Sequence, residues 1–304
     1  MILPIHEEYL MEKLDLELEL SDICLNMSIV GNLYSIDESQ NIISRFIDFL
    51  KTTISKLINI LRGKLKSGTR KLKDVANSTY QSISKTQTQS KKENPQYVEF
   101  DIEDGSYTMI GQNYMNLILN SFLLSKNNMY DKMEQYLDYF RDVDANQYHI
   151  QNEVRQFCVN FDMNGFNFVY PKLAIEDYIE TEDELKEYIR TDIEDNIDTY
   201  KISNGKMSMK DYDTMKDSVK IFDNALNTIL KEIDIAQKNL SKFKNTLDKL
   251  EFVSTENIFE IFRYFGNLIV LITHSNITAC EIINREIEIR LQSVNNLISH
   301  IKKS

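Results

Sequence analysis

The stretch DYDTMKDSVKIFDNALNTILKEIDIAQKNLSKFKNTLDKL, residues 211–250, decides the fold of this chain. Its apolar residues recur at alternating spacings of three and four without a break, which is the spacing of one face of an α-helix. More than five heptads of this pattern predict a coiled-coil-like helix about 60 Å long. The seam consists of Tyr212, Met215, Val219, Phe222, Leu226, Ile229, Ile233, Ala236, Leu240, Phe243, Leu247 and Leu250.

A second helix is predicted to follow a break at 251–256, where Ser254 and Thr255 are candidate N-cap residues, and to run to Lys302. Its own seam is interrupted by a polar layer at 274–276. Two such helices joined by a few residues fold back antiparallel, so the predicted fold is mainly α with a long C-terminal helical hairpin. The candidate packing or oligomerisation residues are Val219, Phe222, Leu226, Ile229, Ile233, Leu240, Phe243 and Leu247.

Charge is unevenly distributed along the chain, which has a net charge of −12 but carries nine basic residues and one acid in the segment 45–73. Within 42–65 the apolar residues cover an arc of about 180° of a helix, which is wider than a coiled-coil seam. A broad apolar face with a basic border is typical of a helix that lies in a membrane interface. The candidate membrane- or partner-docking residues are Arg45, Phe46, Phe49, Lys51, Lys56, Arg62, Lys64 and Lys66.

The same helix has an intramolecular interpretation. Residues 7–22 hold seven acids and one base, so this acidic segment and the basic helix could pack together and bury both apolar faces. A nucleic-acid partner is disfavoured, because Phe46 and Phe49 lie on the apolar face and are not interleaved with the charges as a stacking platform requires. The predicted partners are therefore proteins, a second copy of the chain or an anionic membrane surface.

Residues 76–96 are rich in Ser, Thr, Gln and Asn and offer little apolar surface, so they are predicted to form a flexible polar linker. This divides the chain into an N-terminal acidic and basic helical module (1–75), the linker (76–96), a mixed helical region with β-hairpins (97–206) and the long hairpin (207–304).

Two small β-hairpins are predicted in the mixed region. Apolar alternation flanks Asp104-Gly105 and again flanks Asn164-Gly165, and these dipeptides supply the positive φ angles of two-residue turns. The second stretch has an alternative, in which 151–163 is a helix that ends at Asn164-Gly165. Helices are predicted at Tyr114–Phe140 and, with an acidic outer face, at 176–198.

One metal site is a candidate, because residues 142–153 place carboxylates and an amide at the ligand positions of an EF-hand calcium loop. The sixth position is Gln147, where the sharp turn requires Gly, so a solvated acidic helix junction is the preferred interpretation. The candidate ligands are Asp142, Asp144, Asn146 and Glu153.

Catalytic chemistry is not indicated by any motif in the sequence. GxSxG, Walker A, GxGxxG, HExxH and paired CxxC patterns are missing, and only 8 Gly are available for phosphate-binding loops. The three scattered cysteines favour a reducing compartment. We therefore expect a protein that is not an enzyme, without cofactors or a small-molecule substrate. With neither a signal peptide nor a transmembrane helix, it is expected in a virion or in the cytoplasm of a host cell.

The segment ISRFIDFLKTTISKLINILRGKLKSGTRKLK, residues 43–73, follows an acidic stretch and precedes a polar one. In this arrangement residues 1–75 resemble virion-associated structural proteins of large tailed bacteriophages. The resemblance implies a capsid-internal or otherwise virion-associated structural or assembly protein, and it transfers no functional residues. The alternative is a regulatory or effector module that engages a host protein through the helical hairpin.

Overall fold

The computed structural model describes residues 40–93, 96–122, 130–131, 133–135, 137, 190–191, 193–250 and 256–301. Most of them are helical. The elements are α1 (Gln40–Ile60), a π-helix (Leu61–Leu65), α2 (Lys66–Glu93), β1 (Tyr97–Glu99), β2 (Gly105–Ile110), α3 (Gln112–Phe122), β3 (Ile197–Ile202), β4 (Lys206–Ser208), α4 (Met209–Leu247) and α5 (Glu256–Ser299).

The chain packs as two compact units. Unit 1 comprises Met1–Gly68, Asn120–Lys186 and Lys231–Ala279, and unit 2 comprises Thr69–Leu119, Glu187–Leu230 and Cys280–Ser304. Helices α2, α4 and α5 each contribute residues to both units. Each unit is therefore assembled from stretches that are separated in the sequence.

Contacts within unit 1 fix the directions of the long helices. Lys51 pairs with Asp248 and Lys66 with Asp234, so α1 and the start of α2 run antiparallel to α4. The Phe46 ring lies against Phe262, and Leu50 lies four residues further along α1, against Gly266, four residues further along α5. Since α1 is parallel to α5 and antiparallel to α4, α4 and α5 are antiparallel.

The predicted C-terminal helical hairpin is thus confirmed as the class of fold. Residues 209–247 form one uninterrupted helix of 39 residues, and α5 is a helix of 44 residues. The second helix ends at Ser299, close to the predicted end at Lys302. The connection at 251–255 lies outside the described residues.

The polar stretch predicted to be a flexible linker is helical over residues 76–93. One face of α2 is buried along this length, through Ala76, Thr79, Ile83 and Gln87, which recur at spacings of three and four. The hydroxyls of Thr79 and Thr86 donate hydrogen bonds to the carbonyls four residues earlier, which satisfies these side chains within the helix. Burial of a single face outweighs the polar composition from which the linker was predicted.

Unit 2 contains two antiparallel strand pairs, β1 with β4 and β2 with β3. The strands on either side of Asp104-Gly105 were predicted to pair with each other, and this prediction is wrong. Val98 lies opposite Met207 and Tyr107 lies opposite Tyr200, so both strands pair with residues about 90 to 110 positions later in the chain.

The turn that organises these strands is Asn204-Gly205, which the sequence analysis did not assign to a hairpin. Both residues have positive φ, 55° and 65°, as a two-residue type I′ turn requires. A Cβ on Gly205 would lie 3.2 Å from the carbonyl oxygens of Phe100 and Ile102. Glycine is therefore required here by both the backbone angle and the close approach of a neighbouring chain segment.

Two other predictions agree with the structure only in part, and a third concerns residues that the structure does not describe. Helix Tyr114–Phe140 is described as α3, ending at Phe122, and as helical residues between 130 and 137. The helix predicted at 176–198 is helical at 190–191 and 193–194, but β3 begins at Ile197. The hairpin or helix around Asn164-Gly165 lies outside the described residues.

Candidate functional site

The candidate functional site is the exposed basic side of α1 and the π-helix, in unit 1. Packing turns the apolar face of α1 into the core, so that Phe46, Leu50 and Ile54 have no exposed surface. Three basic residues of this helical stretch lie outside the buried face and remain exposed. These three residues, which we name the basic stripe, are Arg45, Lys56 and Arg62.

Two other lysines of this helical stretch form ion pairs with aspartates, one in α4 and one just after its end. The Lys51 Nζ lies 2.6 Å from Asp248 Oδ1, and the Lys66 Nζ lies 2.5 Å from Asp234 Oδ1. Both aspartates are more than half exposed, so each pair contributes only about 0–1 kcal/mol to stability. These pairs hold Lys51 and Lys66 on the side of α1 and α2 that faces α4.

The predicted docking set is therefore split by the fold. Arg45, Lys56 and Arg62 are exposed, whereas Lys64 and Phe49 are half-buried. Phe46 is fully buried, stacked near Phe49 and edge-on to the ring of Phe262. In this structure Phe46 is part of the protein core, and three of the six basic residues of the set are exposed.

The predicted packing seam on α4 is internal along its whole length. All eight of its residues are buried, with exposed fractions between 0% and 7%. Their apolar surface is used within the chain, so a second copy has no access to it. They are Val219, Phe222, Leu226, Ile229, Ile233, Leu240, Phe243 and Leu247.

The sequence analysis missed a set of buried polar contacts in unit 2. The amide Nδ2 of Asn284 donates a 2.8 Å hydrogen bond to Thr69 Oγ1, with the two residues 3% and 0% exposed. The Thr79 hydroxyl lies 3.0 Å from Asn295 Oδ1. Because both contacts join α2 to α5 at nearly the same spacing along each helix, these helices are parallel, and the polar pairs set their register.

A second polar feature of unit 2 is an aromatic pair on the β2–β3 ribbon. The rings of Tyr107 and Tyr200 stack with centroids 5.0 Å apart, and the Tyr107 hydroxyl donates to the backbone carbonyl of Asp211 at 3.3 Å. Burial, with smaller contributions from Tyr200 and Asp211, raises the pKa of Tyr107. Tyr107 therefore stays protonated and serves as a hydrogen-bond donor and packing group.

Metal binding finds no support among the described residues, where no three His, Cys, Asp or Glu side chains are grouped to hold an ion. The calcium-loop candidates Asp142, Asp144, Asn146 and Glu153 lie outside them. Within that same part of the chain, no helix combines the length and apolarity needed to cross a membrane.

Comparisons with known proteins give no relative for this chain. No family model, no curated protein and no solved structure matches it. The functional argument therefore depends on the geometry and charge of the chain itself.

Proposed function

We propose that this chain is a non-enzymatic structural protein that assembles by docking its basic stripe on an acidic surface of a second copy. One observation carries the proposal: the apolar face of α1 is buried while Arg45, Lys56 and Arg62 remain exposed. The whole chain has 47 acidic residues against 35 basic ones. A second copy therefore presents an excess of the charge that the basic stripe attracts.

A protein surface fits the basic stripe better than a membrane does. Membrane insertion requires an exposed apolar face, and the one on α1 is internal. Adsorption through charge alone is worth about 1 kcal/mol per basic residue near an anionic bilayer, so three cations give only a weak contact. An acidic protein patch can instead match the three cations locally, and Arg binds carboxylates in bidentate geometry.

The structural role also agrees with the resemblance of residues 1–75 to virion-associated bacteriophage proteins, which favours a virion as the place of assembly. A contact between two different patches is heterologous, so repeated copies close into rings or extend into open assemblies. Such a contact needs no catalytic group and no cofactor.

The test is the oligomeric state of the full chain, measured by mass photometry and sedimentation velocity at low salt and at about 1 M salt, where the Debye length is about 3 Å. The test variant is Arg45→Glu/Lys56→Glu/Arg62→Glu. The matched control is Lys85→Glu/Lys91→Glu/Lys92→Glu, which makes the same charge change at exposed positions of α2.

We expect the unmodified chain and the control to form salt-sensitive oligomers, and the test variant to be monomeric under the same conditions. A monomeric unmodified chain at all salt concentrations contradicts the proposal, as does a test variant that assembles normally. Co-sedimentation of the monomer with anionic vesicles, lost in the test variant, would replace self-association by membrane docking.

A further inference from the structure

Gly63 lies in the π-helix between α1 and α2, and the packing of the chain does not explain a glycine there. Among the described residues Gly205 is the one glycine with positive φ. Gly63 is exposed, and a Cβ added to it would have no heavy atom within 4 Å. Glycine weakens a helix relative to alanine, and π-helical turns are frequent at functional sites. A glycine with open space around it suits a backbone that another molecule approaches closely.

Two cations lie beside Gly63, where the π-helix runs along α4. The ion pair of Lys66 with Asp234 places these two residues at the same level of their helices. Arg62 lies one turn before Lys66, and Lys238 lies one turn after Asp234. Because the two helices are antiparallel, Arg62 and Lys238 lie at the same level as each other. Both are exposed, and neither forms an ion pair with another residue in the described part of the chain.

An exposed apolar side chain completes this surface. Ile235 is 39% exposed and lies three residues before Lys238, on the neighbouring turn of α4. An apolar side chain with charged groups around it is a common arrangement at the centre of a protein interface. All four residues of the surface belong to unit 1. We name them the Gly63 patch: Arg62, Gly63, Ile235 and Lys238.

We infer that the Gly63 patch is the centre of the contact between two copies of this chain. Carboxylates of the second copy pair with Arg62 and Lys238, and its chain packs closely over Gly63. The inference rests on the proposed function, because Arg62 also belongs to the basic stripe. Charge selects the occupant, since the patch is cationic and each copy carries 47 acidic residues against 35 basic ones.

The dissociation constant for self-association of the full chain, measured by sedimentation velocity at low salt, tests this inference. Gly63→Gln fills the open space with a residue that favours a helix, so the fold should tolerate it. Its matched control is Asn77→Gln, which places the same side chain at an exposed position of α2. Lys238→Glu reverses one charge of the patch, and Lys220→Glu makes the same change at an exposed position of α4 outside the patch.

We expect Gly63→Gln and Lys238→Glu each to raise the dissociation constant at least about tenfold, as the loss of a central interface contact does. Both controls should assemble like the unmodified chain. The urea midpoint of Gly63→Gln should be no lower than that of the unmodified chain, which separates weaker docking from a weaker fold.

Normal assembly of the Gly63→Gln variant overturns the inference. If Arg45→Glu/Lys56→Glu/Arg62→Glu abolishes assembly while Gly63→Gln and Lys238→Glu leave it intact, the proposed function stands and the Gly63 patch is not part of the contact. An unmodified chain that is monomeric at all salt concentrations removes both.

Discussion

Replacing Gly266 by Ala tests the packing of α1 against α5 directly. A Cβ at this position would lie 2.6 Å from Leu50 Cδ1, 3.1 Å from Leu50 Cδ2 and 3.3 Å from Phe46 Cε1. Both neighbours are fully buried, so neither can swing into solvent to make room. Overpacking of this kind costs about 1–3 kcal/mol.

The helix itself prefers alanine, which is about 1 kcal/mol more favourable than glycine in a helix interior. The two effects oppose each other, and we expect Gly266→Ala to destabilise the protein by about 1 kcal/mol net. In a Leu50→Ala background the methyl groups that cause the clash are gone. There only the 3.3 Å contact with Phe46 Cε1 remains, so the helix preference dominates, and Gly266→Ala should stabilise the Leu50→Ala protein by up to about 1 kcal/mol.

The assay is urea unfolding of the four proteins of this double-mutant cycle, followed by circular dichroism at 222 nm. The coupling free energy between the two positions should equal the overpacking cost, about 1–3 kcal/mol. Gly63→Ala is the matched control, because Gly63 is exposed in the π-helix and its added Cβ would have no heavy atom within 4 Å. If Gly266→Ala stabilises the unmodified protein as much as Gly63→Ala does, the close approach of α1 to α5 is refuted.

Three further predictions concern unit 2. Thr69→Val should lower the free energy of unfolding by about 1–3 kcal/mol, because it leaves the buried amide of Asn284 without its hydrogen-bond partner. Adding Asn284→Leu should recover part of this loss in urea unfolding. If the effects of the two substitutions simply add, the hydrogen bond is refuted. Gly205→Ala should destabilise the protein by about 1–2 kcal/mol. Gly205→Asn should destabilise it by less, because Asn tolerates positive φ. Burial raises the pKa of Tyr107 and brings that of Tyr212 to about 12. The folded protein therefore retains protons that the unfolded chain releases near pH 10. The free energy of unfolding should be at its full value below pH about 10 and should fall between pH about 10 and 12. Tyr212→Phe should reduce this fall.

The long helices could be predicted because their signal is local and repeated. The residues from Val219 to Leu247 form one face whatever lies opposite, and a face of that length can be buried only as a helix. The same reasoning fails for α2. Its buried residues, such as Ala76, Thr79 and Ile83, are too few and too small or polar to form a recognisable apolar periodicity among the serines and glutamines. Its partner surface lies on α4 and α5, more than 100 residues later, and sequence periodicity carries no information about it.

The pairing of the strands was predicted wrongly for a related reason. The alternation around Val98 and Tyr107 was real, and both residues are in strands. Their partners, however, are β4 and β3, which are joined by Asn204-Gly205. The alternation in β3 is weak, because Asp198, Thr199 and Lys201 face solvent beside a single buried residue, Ile202. Because β3 buries so little apolar surface, its position is determined by the turn at Asn204-Gly205 and by pairing with β2.

The candidate site was half predictable, and α1 shows why. An interfacial membrane helix and a core helix at the edge of a bundle both have a wide apolar arc bordered by lysine and arginine, so composition cannot separate them. What separates them is a partner that supplies opposite charge in register. Lys51 and Lys66 are separated along the chain by almost the same number of residues as Asp234, in α4, and Asp248, just after its end, and the two pairs run in opposite directions. This antiparallel match is present in the sequence, but it becomes informative only once α4 is known to lie beside α1.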